Sequence, residues 1–180
     1  MMKKILSLAL SLMLILCAVS ALAETAEATV LVANETFIIQ AKLPEGITIK
    51  PISGEENGTA AVFEMAAGED KPVIYASIAY NEEYAEVERL NDVDEETMQE
   101  IRDSFLDSFP DAVFEDLESA YGTRLLKVTS AADGVVEIYT NYKSYELGFL
   151  MTPAEGKELT EEDEKILVQF ISDIEFVPAA

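Results

Sequence analysis

Apolar and polar residues first alternate along the chain with a period of two. Phe37, Ile39, Ala41 and Leu43 interleave with Ile38, Gln40 and Lys42, which predicts a strand with one buried face. Pro44-Glu45-Gly46 ends that run in a turn. Further strands are predicted over 47–52, closed by Ser53-Gly54, over 59–65, and over 73–80 after a turn at 68–72. The period then changes: Met98, Ile101, Phe105 and Phe109 are spaced by 3, 4 and 4, one face of a helix over 94–109. Asp92 or Asp94 can cap it, Glu95 and Glu96 suit its first turn, and Pro110 stops it. After a weaker strand signal at 113–117, strands over 124–129, 135–141 and 145–151 form an antiparallel meander, with Asp133-Gly134 as a tight turn. Tyr145, Leu147, Phe149 and Met151 share a face of the last strand. Thr160-Glu161-Glu162-Asp163 reads as a capping box before a helix over 161–174, whose stripe is Ile166, Leu167, Phe170, Ile171 and Ile174. Strand runs separated by helices predict an α+β fold, one antiparallel sheet of about six to eight strands flanked by two helices. Val73, Met98, Ile101, Phe105, Tyr145, Phe149, Phe170 and Ile174 are its expected core contributors.

The first 23 residues follow neither period. They hold 18 apolar residues, two lysines and no acid. Met1-Met2-Lys3-Lys4 is a positive start, an apolar stretch follows over 5–20, and Ala21-Leu22-Ala23 supplies the small residues a signal peptidase requires. The reading is a cleaved secretory signal over 1–23, an N-terminal segment of the mature chain over 24–35, and one α+β domain over 36–180. Ala26-Glu27-Ala28 offers a second small-x-small site, so the mature chain begins at Glu24 or Thr29. Cys17 follows Leu14-Ile15-Leu16, and Leu16 is too bulky for the last position of a lipoprotein signal, so Cys17 reads as part of the apolar stretch. No membrane span is expected after cleavage.

Charge narrows the function. The 180-residue chain has 35 acids against 12 bases and no histidine, a net charge of −23, which becomes −25 once Lys3 and Lys4 leave. Nucleic acid is excluded as a partner, since backbone binding needs a basic surface. Without His, Trp or a mature Cys, there is no imidazole or thiolate metal site and no His-based triad. No G-x-S-x-G, mature Ser-x-x-Lys, G-x-x-x-x-G-K or G-x-G-x-x-G occurs, so nucleophilic catalysis and nucleotide binding lack support. Paired carboxylates remain as a route to hydrolysis, but the expectation is a chain that is not an enzyme and carries no cofactor.

Leu43-Pro44-Glu45-Gly46 after an opening strand, Ala120-Tyr121-Gly122 before the meander, Thr152-Pro153, and a helix ending Ile174-Glu175-Phe176 together resemble the PsbP-like superfamily. The resemblance spans roughly residues 36–177. It implies a mostly non-catalytic envelope or extracellular domain, and it carries no functional residue across.

The strongest local feature is acidic. Residues 81–118 hold 15 acids against Arg89 and Arg102, and Glu96, Glu100, Asp103 and Asp107 repeat at 4, 3 and 4 opposite the apolar stripe. Like charges at that spacing each cost a helix a few tenths of a kcal/mol. The row reads as a solubilising face or as a docking face for a cationic protein or divalent cations. Asp92, Asp94 and Glu96 have the alternation that opens a calcium loop, but Thr97 stands where the loop needs Gly and Asp103 where it needs Glu, so weak Ca²⁺ binding is the alternative. Tyr139, Tyr142 and Tyr145 cluster near the last hairpin, with Tyr75, Tyr80, Tyr84 and Tyr121 elsewhere; half-buried strand tyrosines with wet hydroxyls are expected. The functional expectation is a secreted, acidic interaction or structural module.

Overall fold

The computed structural model describes residues 29–33, 37–44, 46–54, 60–66, 68–82 and 87–178. The signal segment, Cys17, both cleavage sites and Tyr84 lie outside the described residues. The strands are β1 (Thr29–Ala33), β2 (Phe37–Ala41), β3 (Thr48–Gly54), β4 (Ala60–Ala66), β5 (Val73–Tyr80), β6 (Val113–Glu118), β7 (Arg124–Ser130), β8 (Val135–Tyr142), β9 (Tyr145–Thr152) and β10 (Glu175–Pro178). Two helices interrupt them, α1 (Glu95–Ser108) and α2 (Glu161–Ser172). The class is α+β, and every ladder between described strands is antiparallel.

The single expected sheet is corrected to two. Seven strands form one sheet in the order β3-β4-β5-β9-β8-β7-β6, and three form another in the order β1-β2-β10. The reason lies in which backbone groups β2 pairs with. Its partners are Thr29–Ala33 and Glu175–Pro178, at the two ends of the described chain, and not the next strand along. The final helix stops at Ser172 with Asp173 as its cap, which frees Glu175–Pro178 to pair with Gln40–Phe37. Gln40 Nε2 also donates to Glu175 Oε2 across that pair at 2.7 Å. These strands form one compact unit and residues 44–173 another.

The helices start where the sequence predicts. Asp94 accepts from the Thr97 amide at 2.9 Å, filling one orphan donor of the first turn of α1. Thr160 and Asp163 make the reciprocal capping box of α2. Within the larger unit, α1 and α2 pack on opposite faces of the seven-stranded sheet. Met98 and Ile101 of α1 join Leu126, Val128 and Tyr139 in a buried cluster, with Phe105 and Phe114 packed against it. On the other face Phe170 of α2 meets Phe149 edge to face at 5.9 Å. Burying one such ring is worth roughly 1.5–3 kcal/mol.

Five of the expected core residues, Met98, Ile101, Phe149, Phe170 and Ile174, are buried; Val73, Phe105 and Tyr145 are half-buried. Ile166 departs from the predicted stripe and is exposed, because it sits about 100° around the helix from Leu167, at the edge of the apolar face. The weak signal at 113–117 is β6, an edge strand whose Val113 is exposed.

Candidate functional site

Register decides what faces α1. In β8 the residues Glu137, Tyr139 and Asn141 share a face with Glu146, Gly148 and Leu150 of β9, since Glu137 pairs with Leu150, Tyr139 with Gly148 and Asn141 with Glu146. In β5, Ser77 and Ala79 lie on the same face, opposite Gly148 and Glu146. Helix α1 covers this face over β7 and β8. Beyond its edge, toward β5, a groove of about 250 Å³ opens between helix and sheet. Its helical wall is Ile101, Ser104 and Phe105; its floor is Gly148, with Ser77 and Ala79 on one side and Glu137, Tyr139 and Glu146 on the other.

Gly148 makes this groove possible. A Cβ at that position would stand 2.7 Å from Glu137 Oε1, closer than a real Cβ comes to a non-bonded atom, so the Glu137 carboxyl occupies the space that a side chain there would fill. A glycine inside a strand weakens it by losing packing and entropy, and it marks a place where another group comes close to the backbone.

The two carboxylates have different surroundings. Glu146 accepts from the Tyr139 hydroxyl at 3.1 Å and from Asn81 Nδ2 at 3.0 Å. Glu137 has no hydrogen bond or ion pair to a described group, and burial pushes its carboxyl up to about 7 from an ordinary 4.5. It is therefore close to half-ionised at neutral pH. Asn141, buried across the ladder from Glu146, also makes no hydrogen bond to a described group through either amide atom. Phe105 meets Tyr139 edge to face at 5.7 Å, which fixes the aromatic side of the groove. The described lining contains two carboxylates and no cation. It offers acceptors and an apolar wall, and it repels anions.

The opposite flank of α1 is closed. Arg102 bonds Glu95 and Asp116, and Arg124 Nε reaches Asp116 at 2.8 Å. The hydrogen bond from Arg124, with Arg102 beside it, holds the Asp116 carboxyl below the usual carboxylate range.

The predicted acidic row is where the spacing put it. Glu96, Glu100, Asp103 and Asp107 are exposed along the outer face of α1. Gln99 donates to Asp103 at 2.8 Å, and none of the four is ion-paired with a described residue. The calcium trio is not gathered. Asp92 sits in the 3₁₀ turn Leu90–Asp92, Asp94 is spent on the Thr97 amide, which holds its carboxyl below the ordinary range, and Glu96 points from the first helical turn to solvent. Among the described residues no three His, Cys, Asp or Glu side chains are placed to hold a metal ion, and no helix is long and apolar enough to cross a membrane. Of the tyrosines near the last hairpin, Tyr139 and Tyr142 are buried and Tyr145 is half-buried, while Tyr75, Tyr80 and Tyr121 are exposed.

Sequence reasoning did not single out Glu137, Glu146 or Gly148. The available signal was an acid inside each of the runs Val135-Val136-Glu137-Ile138-Tyr139 and Tyr145-Glu146-Leu147-Gly148-Phe149, the second with a glycine in mid-strand. Comparison of the chain with protein-family models, with curated proteins and with solved structures yields no match.

Proposed function

We propose that this chain is an exported, non-catalytic binding domain of the PsbP-like class that engages a positively charged partner protein through the outer face of α1. One observation carries the reading. Glu96, Glu100, Asp103 and Asp107 form an exposed row with no neutralising cation among the described residues, while Glu95 and Asp116 on the same helix flank are neutralised by Arg102 and Arg124. A complementary basic surface would gain the Coulomb energy that the chain itself leaves unused and would be steered toward this face. Export is supported by the layout of residues 1–23, and the PsbP-like class by the element order and turn residues given above. The lack of His, mature Cys and nucleophile motifs supports a role in binding rather than catalysis. Coordinated Ca²⁺ has no comparable observation behind it.

Pull-down from the native envelope in 0.15 M NaCl tests the partner. The wild-type chain should retain a basic protein that is lost when Glu96→Gln, Glu100→Gln, Asp103→Asn and Asp107→Asn are combined; identical captures would overturn the reading. Mass spectrometry of the exported product should show a start at Glu24 or Thr29, and a full-length membrane-bound chain would refute export. A melting temperature raised by sub-millimolar Ca²⁺ in the same salt would favour coordination instead.

A further inference from the structure

We propose that the groove over Gly148 is a binding site for a small organic cation, an alkyl- or arylalkylammonium ion, its charged head held by Glu137 and Glu146 and its hydrocarbon lying against Ile101 and Phe105. This site lies under the inner edge of α1 and does not depend on the outer acidic row.

Four features select this ligand class. First, the volume of about 250 Å³ is below that of pockets for drug-sized ligands, which suits a molecule of a few carbons or one ring. Second, the polar groups of the lining act as acceptors. Glu146 is oriented by Tyr139 and Asn81, and the Ser104 hydroxyl spends its proton on the Ile101 carbonyl at 2.7 Å, which leaves it only acceptor capacity for a guest. Third, Phe105 and Tyr139 present aromatic surface beside two carboxylates, a setting that attracts a desolvated ammonium. Fourth, a glycine at 148 preserves room for the Glu137 carboxyl, which bonds to no described group, although burying a charge without a partner is costly. An ammonium ion supplies that missing partner. A neutral guest would leave the cost in place, and an anion would add to it.

The groups that face Glu137 fix what pH does to the site. On β8 and β9 they are Tyr139 and Glu146; α1 contributes only Ile101, Ser104 and Phe105, β5 only Ser77 and Ala79, and β7 sets Val128 opposite it. No described cation competes. With the Glu137 carboxyl pushed up to about 7, an ammonium ion binds the ionised form and expels the remaining proton, so affinity should rise roughly tenfold from pH 6 to pH 8.

Calorimetry and amide chemical shifts on the purified protein, with benzylamine, benzyl alcohol and benzoate as probes, test this. Benzylamine should bind at least tenfold tighter than benzyl alcohol and shift the Gly148 amide, benzoate should not bind, and the affinity should show the stated pH rise. Glu137→Gln, which keeps shape and removes charge, should weaken benzylamine and flatten its pH profile while leaving the spectrum dispersed. Gly148→Ala should push the Glu137 carboxyl out of its place over the strand and weaken benzylamine. Equal binding of benzylamine and benzyl alcohol, benzylamine binding unchanged in Glu137→Gln, or no binding of benzylamine at millimolar concentration would each overturn the assignment.

Discussion

On one flank of α1, Arg102 reaches Glu95 and Asp116, and Arg124 joins them from β7, so the helix is tied to the edge of the sheet by four mutually neutralised groups. On the other flank, Ile101 and Ser104 look across a gap to Glu137, whose carboxyl has no partner among the described residues. Both flanks rest on the same face of the same sheet. The difference is set by which strands bring a cation to that face. Arg124 lies in register with Glu118 at the β6 side, whereas the described residues of β5, β8 and β9 on this face include acids, tyrosines, serine and glycine but no lysine or arginine. An acid next to Arg124 is a structural tie. An acid next to Gly148 is a charge held in reserve.

The largest effect should separate the buried floor of α1 from its open edge. Met98 is fully buried beneath the helix, and Met98→Ala should cost about 2–5 kcal/mol in denaturant unfolding. Phe105 is half-buried at the groove, so Phe105→Ala should cost clearly less than the about 3–5 kcal/mol of a fully buried phenylalanine such as Phe170. Equal losses at Phe105 and Phe170 would mean that the groove edge is packed as tightly as the core.

Glu137 should come next, through pH. Its carboxyl titrates at about 7 in the folded chain and near 4.5 when unfolded. Between those values the unfolded chain gives up a proton that the folded chain keeps, so stability falls as pH rises from about 5 to about 8, by up to roughly 3 kcal/mol. Asp94, Asp111 and Asp116 work in the opposite sense: their carboxyls are depressed by hydrogen bonds, so their contribution is present above the ordinary aspartate value and is lost as pH falls below it. Stability should therefore peak near pH 5. Glu137→Gln should remove the fall toward pH 8 and leave the acid side unchanged. A slope that survives this substitution would place the titration elsewhere.

Asn141 is the second polar side chain on this face of β8 without a partner among the described residues. Leaving buried amide atoms unsatisfied costs roughly 1–3 kcal/mol, and leucine has a similar branched shape. Asn141→Leu should raise the melting temperature, whereas a drop would show that the amide is bonded in solution. The closed flank is worth less. Arg102 is largely covered but its partners are solvated, and pairs of that kind contribute about 0.2–1 kcal/mol and weaken in salt. Arg102→Met should cost about that much at low ionic strength and less in 0.5 M NaCl.

How much of this was legible follows from how local each feature is. Both helices, the Asp94 cap and the Thr160–Asp163 box were readable because period and capping are properties of ten or so neighbouring residues. The acidic row was readable for the same reason. The β8–β9 hairpin was readable from its two flanking strands, but its turn type was not: Lys143 and Ser144 both hold positive φ, 46° and 68°, a turn that sequence normally announces with Asn-Gly. The second sheet was hidden because β10 follows the helix stripe with only two residues between them and pairs with a strand about 140 residues earlier. The groove was less legible still. It needs the diagonal from Glu137 to Gly148 across two strands, the register that sets Ser77 beside them, and a helix that stops short of covering all three.

The smallest prediction concerns the third surface of α1, its outer face. Glu96, Glu100 and Asp103 lie 3 or 4 residues apart with no described cation between them, so each adjacent pair repels by a few tenths of a kcal/mol. Glu100 has a like-charged neighbour on both sides, Glu96 four residues before and Asp103 three after. Glu100→Gln should therefore raise the melting temperature slightly at low salt, by more than Asp107→Asn at the end of the row, and the gap should close as salt screens both. Glu137→Gln, screened far less because it is partly buried, should keep its effect under the same salt. If the two respond alike, the inner carboxyl is as solvated as the outer row, and the contrast between the open flank and the rest of the helix disappears.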